Sequence, residues 1–565
     1  MKLILVFLFV IMSTQTLCAI ESESSKSEDE LKKMIGRMIV IGFPDKVIDE
    51  NSTIVKHIQK YDLGGVILFD RFYDDRNRTK NISSPEQLQE LTKQLKSFSN
   101  KPMLISIDQE GGKVARLKPD YGFKEIPSAK SIAKLPSKEA KEIYAQQAQM
   151  LRQNGINCDF APVVDLAVNK NNKVIVALER SYGKSSKKVS KYAKICIDSL
   201  NNEGVISVLK HFPGHGSSLS DSHEGFVDIS KTWKTKELEP YQKLINANDV
   251  QMIMTAHVFN SQLDKKYPAT LSHNVNTKLL REMMGYDGVV ISDDLQMKAI
   301  TKHYNLKQTV TLAINSGVDM LLFGNQLASI YIDKLVDVIY EQVKNGSIDL
   351  QRIKESNKRI ELLHLKPKII NKPIDFNENR IEMTKAYIKQ HYGMDVNHIE
   401  IEPKIVLLHW TAVMDCDDSF KRLRWEKLYS DRSDIASAGS LNVSSHFLVD
   451  RNGTIFQLMP DNWMARHVIG LNYSSIGIEN VGGEGNTKED LTQAQVQANI
   501  DLIKYLKVKY PSIEYLVGHH EYREMEKTTL WLEKDAGYRT VKADPGDKFM
   551  NDVRKQVEYL ELKRP

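Results

Sequence analysis

Residues 204–211 read GVISVLKH. A glycine opens the run, β-branched and apolar residues fill it, and two side chains that carry chemistry, Lys210 and His211, close it. Such a composition between turn signals predicts a strand. A strand apolar on both faces belongs in a parallel sheet covered by helices on either side. Seven further runs have the same build: RMIVIGF (37–43), GGVILFD (64–70), PMLISIDQ (102–109), CDFAPVVD (158–165), VQMIMTAH (250–257), GVVISDD (288–294) and DMLLFGN (319–325). Amphipathic stretches rich in Lys, Glu and Leu separate them. Strands and helices therefore alternate, and eight such units fit a (β/α)₈ TIM-like barrel, whose usual size is about 250 residues and more with insertions.

An open doubly wound sheet is the competing arrangement, and the position of the polar residues decides against it. Asp70 with Arg71, Asp108, Asp165, Lys210 with His211, His257 and Asp293 all stand at the C-terminal ends of their runs. A barrel gathers those ends at one mouth; an open sheet spreads them along a crevice. The barrel is expected over 30–365. HLKPKIINKPIDFNENR, with two prolines and little periodicity, reads as a linker (366–399). A smaller α/β domain with a central mixed sheet is expected over 400–565, from runs such as KIVLLHW, GTIFQLMP and EYLVGHH.

The chain has 565 residues, too many for one core, and 78 basic against 73 acidic residues spread along its length. That balance gives no argument for nucleic acid. The start, MKLILVFLFVIMSTQTLCA, carries one lysine and an apolar run too short to span a bilayer, which suits a signal peptide over 1–19. Gln15, Thr16 and Leu17 make a poor lipidation box before Cys18, so cleavage and export, to the periplasm, are expected rather than an outer-membrane lipoprotein. A polar spacer is read over 20–29. The mature chain would then have no transmembrane segment and is expected to be monomeric. Cys158, Cys196 and Cys416 form no CxxC pair.

The loop KHFPGHGSSLSDSHEG (210–225) holds three histidines. Pro213, Gly214 and Gly216 break the helix that i,i+4 zinc ligands would use, and GxxxxGK[ST] is absent. Asp221 and His223 are two apart, so on an extended loop the carboxylate can orient the imidazole and favour its protonated form, making a general acid/base. KHFPGHG…DSH, with LGGVILFDR, IDQEGGKVARL, FAPVVDL, ERSYG and GVVISDDLQM in order, resembles the β-N-acetylglucosaminidase branch of glycoside hydrolase family 3. The resemblance implies that Asp293 is the nucleophile of a retaining reaction, with His223 and Asp221 as acid/base pair. It also implies that Asp108, Arg116, Arg180, Lys210 and His211 hold the sugar, with no cofactor. Asp294 is the weaker candidate for nucleophile, and His257 is either a core histidine or a sugar contact. Lys113 stands where the family often has arginine.

In the second half, His409 and His519 end apolar runs and Asp544 lies in KADPG; two imidazoles and a carboxylate are a common zinc donor set. LLHWTA, SSHFLVDRNGTIFQL, SIGIENVGG, VGHHEYR and KADPG resemble the type 2 N-acetylmuramoyl-L-alanine amidases. The resemblance implies Zn²⁺ on His409, His519 and Asp544, with Glu479 assisting water and Lys542 stabilising an oxyanion. His519 is preferred to its neighbour His520; His446 and His467 border the cleft or are structural. The stretch from His519 to KADPG is longer than in many relatives. Together the halves imply an exported bifunctional enzyme acting on peptidoglycan fragments. Phosphorolysis of GlcNAc, chitin-type substrates, or a wall-binding second domain are the alternatives.

Overall fold

The computed structural model describes residues 26–221, 224–247 and 250–565. The region assigned to the signal peptide lies outside the described residues, as does His223. Residues 26–37 are helical, so the last positions of the expected spacer already belong to folded structure. No helix among the described residues is long and apolar enough to cross a membrane. The chain divides into two compact units between Leu363 and His364.

All eight expected strands of the first unit form: β1 Ile39–Gly42, β2 Gly65–Ile67, β3 Leu104–Ile107, β4 Cys158–Asp159, β5 Ile206–Phe212, β6 Met252–Thr255, β7 Val289–Ile291 and β8 Leu321–Phe323. They pair in parallel in sequence order, and β8 pairs with β1. A parallel bridge between Ile291 and Met320 joins β7 to β8 and closes the circle. Between the strands, local signals set the helices. Ser84 caps Pro85–Phe98 by accepting a hydrogen bond from Gln87 N, with proline at the first helical position. Asn305 and Gln308 form a capping box on Leu306–Ser316, which ends at Gly317 with φ 109°.

Below the barrel, at the N-terminal end of β8, Asp319 is fully buried. Its carboxylate accepts from Arg281 (2.6 Å), Arg352 (2.6 Å) and Val290 N (3.0 Å), which ties the closing seam to two flanking helices. Asp70, Asp108, Asp165, His257 and Asp293 lie at the opposite, C-terminal ends.

The second unit is built on a six-stranded mixed sheet. Its strands are β9 Ile369–Asn371, β10 Ile405–Trp410, β11 Phe447–Val449, β12 Ile455–Gln457, β13 Ser475–Asn480 and β14 Tyr515–Gly518, in the order β9-β12-β11-β13-β10-β14. Only β11 and β12 pair antiparallel. Side chains alternate across a strand, and the cores follow that alternation. Val406, Leu408, Ile476 and Ile478 pack with Val496, Ile503 and Phe549 of the helices Gln493–Lys509 and Asp547–Gln556. Ile405 and Leu407 face the other way, against Leu471 and Tyr522. His409, in step with Ile405 and Leu407, therefore points to the face without those helices, as do Ser475, Gly477 and Glu479.

The segment 366–399 is not a linker. Ile369–Asn371 pairs in parallel with Ile455–Gln457, and Glu378–Tyr387 forms a helix that continues helically through Tyr392. Arg380 on that helix is fully buried and donates to the carbonyls of Asp375 (3.2 Å), Arg424 (3.0 Å) and Val443 (3.3 Å). The helix buries Arg380, Thr384 and Tyr387, so its inward face lacks the apolar periodicity by which a sequence announces a packed helix.

Candidate active sites

The barrel mouth opens into a cavity of about 350 Å³. Asp108, Arg116, Arg180, Lys210, His211, Asp221 and Asp293 all line it, together with Asp294 and His215. Five of these form one network through a residue the sequence reading did not single out, Glu110. Lys210 donates to Asp108 (2.8 Å) and is paired with Glu110 at 2.6 Å. Arg180 donates to both oxygens of Glu110, at 2.7 and 2.8 Å. Arg116 donates to Asp108 at 3.1 Å. Burial alone would raise the pKa of both carboxyls; Lys210 and Arg116 outweigh it at Asp108, and Arg180 and Lys210 at Glu110, so both lie below their usual range. Two carboxylates thus face two buried cations, Lys210 and Arg180, and the half-buried Arg116, and their remaining donors and acceptors suit a polyhydroxylated ring.

His211 has a definite tautomer. Arg180 can only donate, so at 3.1 Å it makes His211 Nε2 an acceptor. The proton then sits on Nδ1, which donates to Asp165 Oδ2 at 2.7 Å. Asp165 also accepts from His215 N (2.7 Å), fixing the start of the loop that carries Asp221. His215 meets Ser218 Oγ at 2.8 Å, and burial lowers its pKa to about 4.

At the end of β7 the two aspartates are held differently. Asp294 Oδ1 accepts from the backbone of Gln296 (3.0 Å) and Gly324 (3.2 Å), which fastens the turn. Asp293 Oδ1 accepts from its neighbour Asp294 N at 2.8 Å and borders the cavity. His257 stands between Thr270 Oγ1 (2.8 Å) and the Asp294 carbonyl (2.9 Å), so its ring supports that turn.

In the second unit a cavity of about 340 Å³ is lined by His409, His519, Asp544, Glu479 and Lys542. His409 Nδ1 and His519 Nδ1 lie 2.9 Å apart, and Asp544 Oδ2 is 3.2 Å from the first and 2.9 Å from the second. Ligand atoms of all three converge within 4.8 Å, as a metal site requires. Two imidazoles and a carboxylate suit zinc and leave a position for water. Burial would raise the pKa of Asp544, but His519 and His409 hold it far below the usual range. His520 turns away, its ring against Asp544 O (3.1 Å) and Asp547 Oδ1 (3.1 Å), which separates it from the cluster. Glu479 pairs in register with His409 and is raised well above its ordinary pKa, first by burial and then by the charge of Asp544. Its Oε2 has no hydrogen-bond partner among the described residues. Lys542 Nζ lies 3.8 Å from Asp434.

Against known families, residues 30–363 match the glycosyl hydrolase family 3 N terminal domain, well over half of the chain. The chain belongs to glycosyl hydrolase family 3. Residues 400–547 match the N-acetylmuramoyl-L-alanine amidase family, so this family 3 enzyme carries an amidase domain as its second unit. The beta-hexosaminidase of Tolumonas auensis is 35% identical over 285 residues, covering 49% of this chain and 80% of that protein. Beta-hexosaminidase A of Pseudoalteromonas piscicida is 36% identical over 284 residues, and there the match covers less than half of each protein (47% and 46%). The solved structure of a glycoside hydrolase family 3 beta-N-acetylglucosaminidase from Paenibacillus sp. str. FPU-7 shares the fold, with a TM-score of 0.54 at 24% identity over 94% of this chain and 89% of that one.

Proposed function

We propose that the chain is an exported, bifunctional enzyme of peptidoglycan turnover. Its barrel releases GlcNAc from GlcNAc–MurNAc peptides with retention, and its second unit hydrolyses the amide between MurNAc and L-alanine. The pairing in one chain of a family 3 barrel and an amidase domain carries this reading, because both bonds meet at one muramyl residue. Holding two such sites on one chain raises the concentration of one product at the other.

In the barrel, Asp293 attacks the anomeric carbon as the glycosidic bond breaks, and His223, oriented by Asp221, protonates the departing oxygen. The same imidazole then takes a proton from the water that releases the sugar from Asp293, as retention requires. Asp108, Glu110, Arg180, Lys210 and His211 hold the ring, and Arg116 steadies Asp108.

In the amidase unit His409, His519 and Asp544 would hold the zinc ion, which when bound supplies Lewis acidity toward the amide carbonyl and lowers the pKa of water. Glu479 receives the proton of the attacking water and passes it to the leaving amine, a task suited to a buried carboxyl whose Oε2 makes no protein hydrogen bond. Lys542 stabilises the oxyanion that develops. The test is mass spectrometry of the products from GlcNAc–MurNAc–tetrapeptide with and without a zinc chelator. Free GlcNAc under both conditions, with peptide release only in the absence of chelator, is expected. Loss of both activities on chelation would refute the metal-free barrel.

A further inference from the structure

His467 is no ligand candidate, yet it is the side chain against which His409 rests. His409 Nε2 and His467 Nδ1 lie 2.9 Å apart, and both rings are buried. Which nitrogen carries the proton follows from the far side of His467. There Nε2 meets Ser475 Oγ at 3.1 Å and the Ser475 carbonyl at 3.4 Å. The hydroxyl of Ser475 has one proton and gives it to Leu471 O at 2.8 Å. Both groups facing His467 Nε2 are therefore acceptors, so that nitrogen holds the hydrogen and Nδ1 is bare. His409 Nε2–H must then donate to His467, and the lone pair of His409 is left on Nδ1, the atom that faces His519 and Asp544.

Two further features keep His467 in place. Asn472 Oδ1 accepts from the backbone of His467 and Val468, each at 2.8 Å. Gly477 leaves the space the ring occupies, for a Cβ there would lie 2.7 Å from His467 Nδ1. The alternation of β13 thus presents Ser475 and Gly477 to His467, and Glu479 to the cavity.

We propose that His467 is a positioning residue that fixes the tautomer and orientation of His409 and thereby sets the affinity of the second unit for its metal. This rests on His409, His519 and Asp544 being the ligands. Partners behind a ligating histidine typically change metal affinity by about 10–100-fold.

The experiment measures zinc binding by the full chain in competition with a chromophoric chelator, alongside the melting curve of the zinc-free protein. His467→Phe keeps the ring but offers no acceptor, and is expected to weaken zinc binding by about 10–100-fold. His467→Asn places Oδ1 near the position of Nδ1 and should restore affinity to within about threefold of the parent. Ser475→Ala removes the better acceptor behind His467 and should give a smaller loss. A His467→Phe protein that melts like the parent and binds zinc as tightly overturns the inference, as does an Asn variant no tighter than the Phe one. If the Phe variant fails to fold, unchanged zinc affinity in Ser475→Ala overturns it instead. A parent chain that takes up no zinc, or a His409→Ala variant that binds as well as the parent, refutes the ligand assignment itself.

Discussion

Replacing Asp319 by asparagine is expected to loosen the barrel without touching its mouth. The carboxylate is fully buried and accepts from Arg281, Arg352, Val290 N and Ser356 Oγ, with Arg359 at 3.5 Å. Burial would raise its pKa, but the three arginines overcome that and lower it from 3.8 to about 2. A depression of that size corresponds to about 2–3 kcal/mol of stability carried by the ionised form. Asparagine removes the charge and turns an amide N–H₂ toward guanidinium donors, so the cost at pH 7 should be larger, about 3–5 kcal/mol. Because the folded-state pKa is the lower one, the stabilisation is complete above the unfolded value of 3.8 and is lost as pH falls toward 2. By pH 3 the gap between parent and variant should have narrowed by about 1 kcal/mol. Urea unfolding at pH 7, 5 and 3 measures the gap, with hydrogen exchange of peptides spanning 286–325 identifying the barrel transition. A cost below about 1 kcal/mol at pH 7, or a gap that does not change between pH 5 and 3, would refute the reasoning.

Two further expectations concern the mouth. Asp293→Asn should reduce GlcNAc release by about 10³-fold or more, as loss of a nucleophile does. Asp294→Asn, which keeps an oxygen for Gln296 N and Gly324 N, should cost far less; the reverse order in steady-state rates would exchange their roles. Asp165→Asn must offer an oxygen to the His215 backbone, so its N–H₂ faces His211 and forces the imidazole proton onto Nε2, against Arg180. Such a conflict should lower kcat/KM for a GlcNAc glycoside by about 10–100-fold while amide hydrolysis is unchanged, and an unaltered kcat/KM would show that the tautomer of His211 is immaterial.

The barrel was legible because its strands are continuous apolar runs that end in polar residues, a pattern that survives without any tertiary knowledge. Most of the residues that line the barrel mouth were legible for the same reason, one strand end at a time. What stayed hidden depends on pairing across the fold. Glu110 lies three residues from Lys113 within IDQEGGKVARL, yet its significance comes from Arg180 and Lys210, 70 and 100 positions away. Asp165 was visible as a strand end, but not as the group that decides the proton of His211. In the second unit the cluster His409, His519 and Asp544 was reached through its motifs, whereas the support behind His409 required knowing which face Ser475 and Gly477 share. The segment 366–399 misled because prolines and a polar-faced helix look alike whether they are packed or not.

That segment changes what counts as a separable piece. The family match to the amidase begins at residue 400, but a chain cut there would lose β9 and leave the outer backbone of Ile455–Gln457 exposed. A bare sheet edge is a template for pairing with other molecules, and so for aggregation. The same cut would remove Arg380 from the buried carbonyl of Leu423 and from those of Arg424 and Val443, stranding these acceptors at the helix Cys416–Arg424, which borders the cavity of His409, His519 and Asp544. The smallest soluble piece that keeps the second unit whole should therefore start near His364, well ahead of the first residue of the family match.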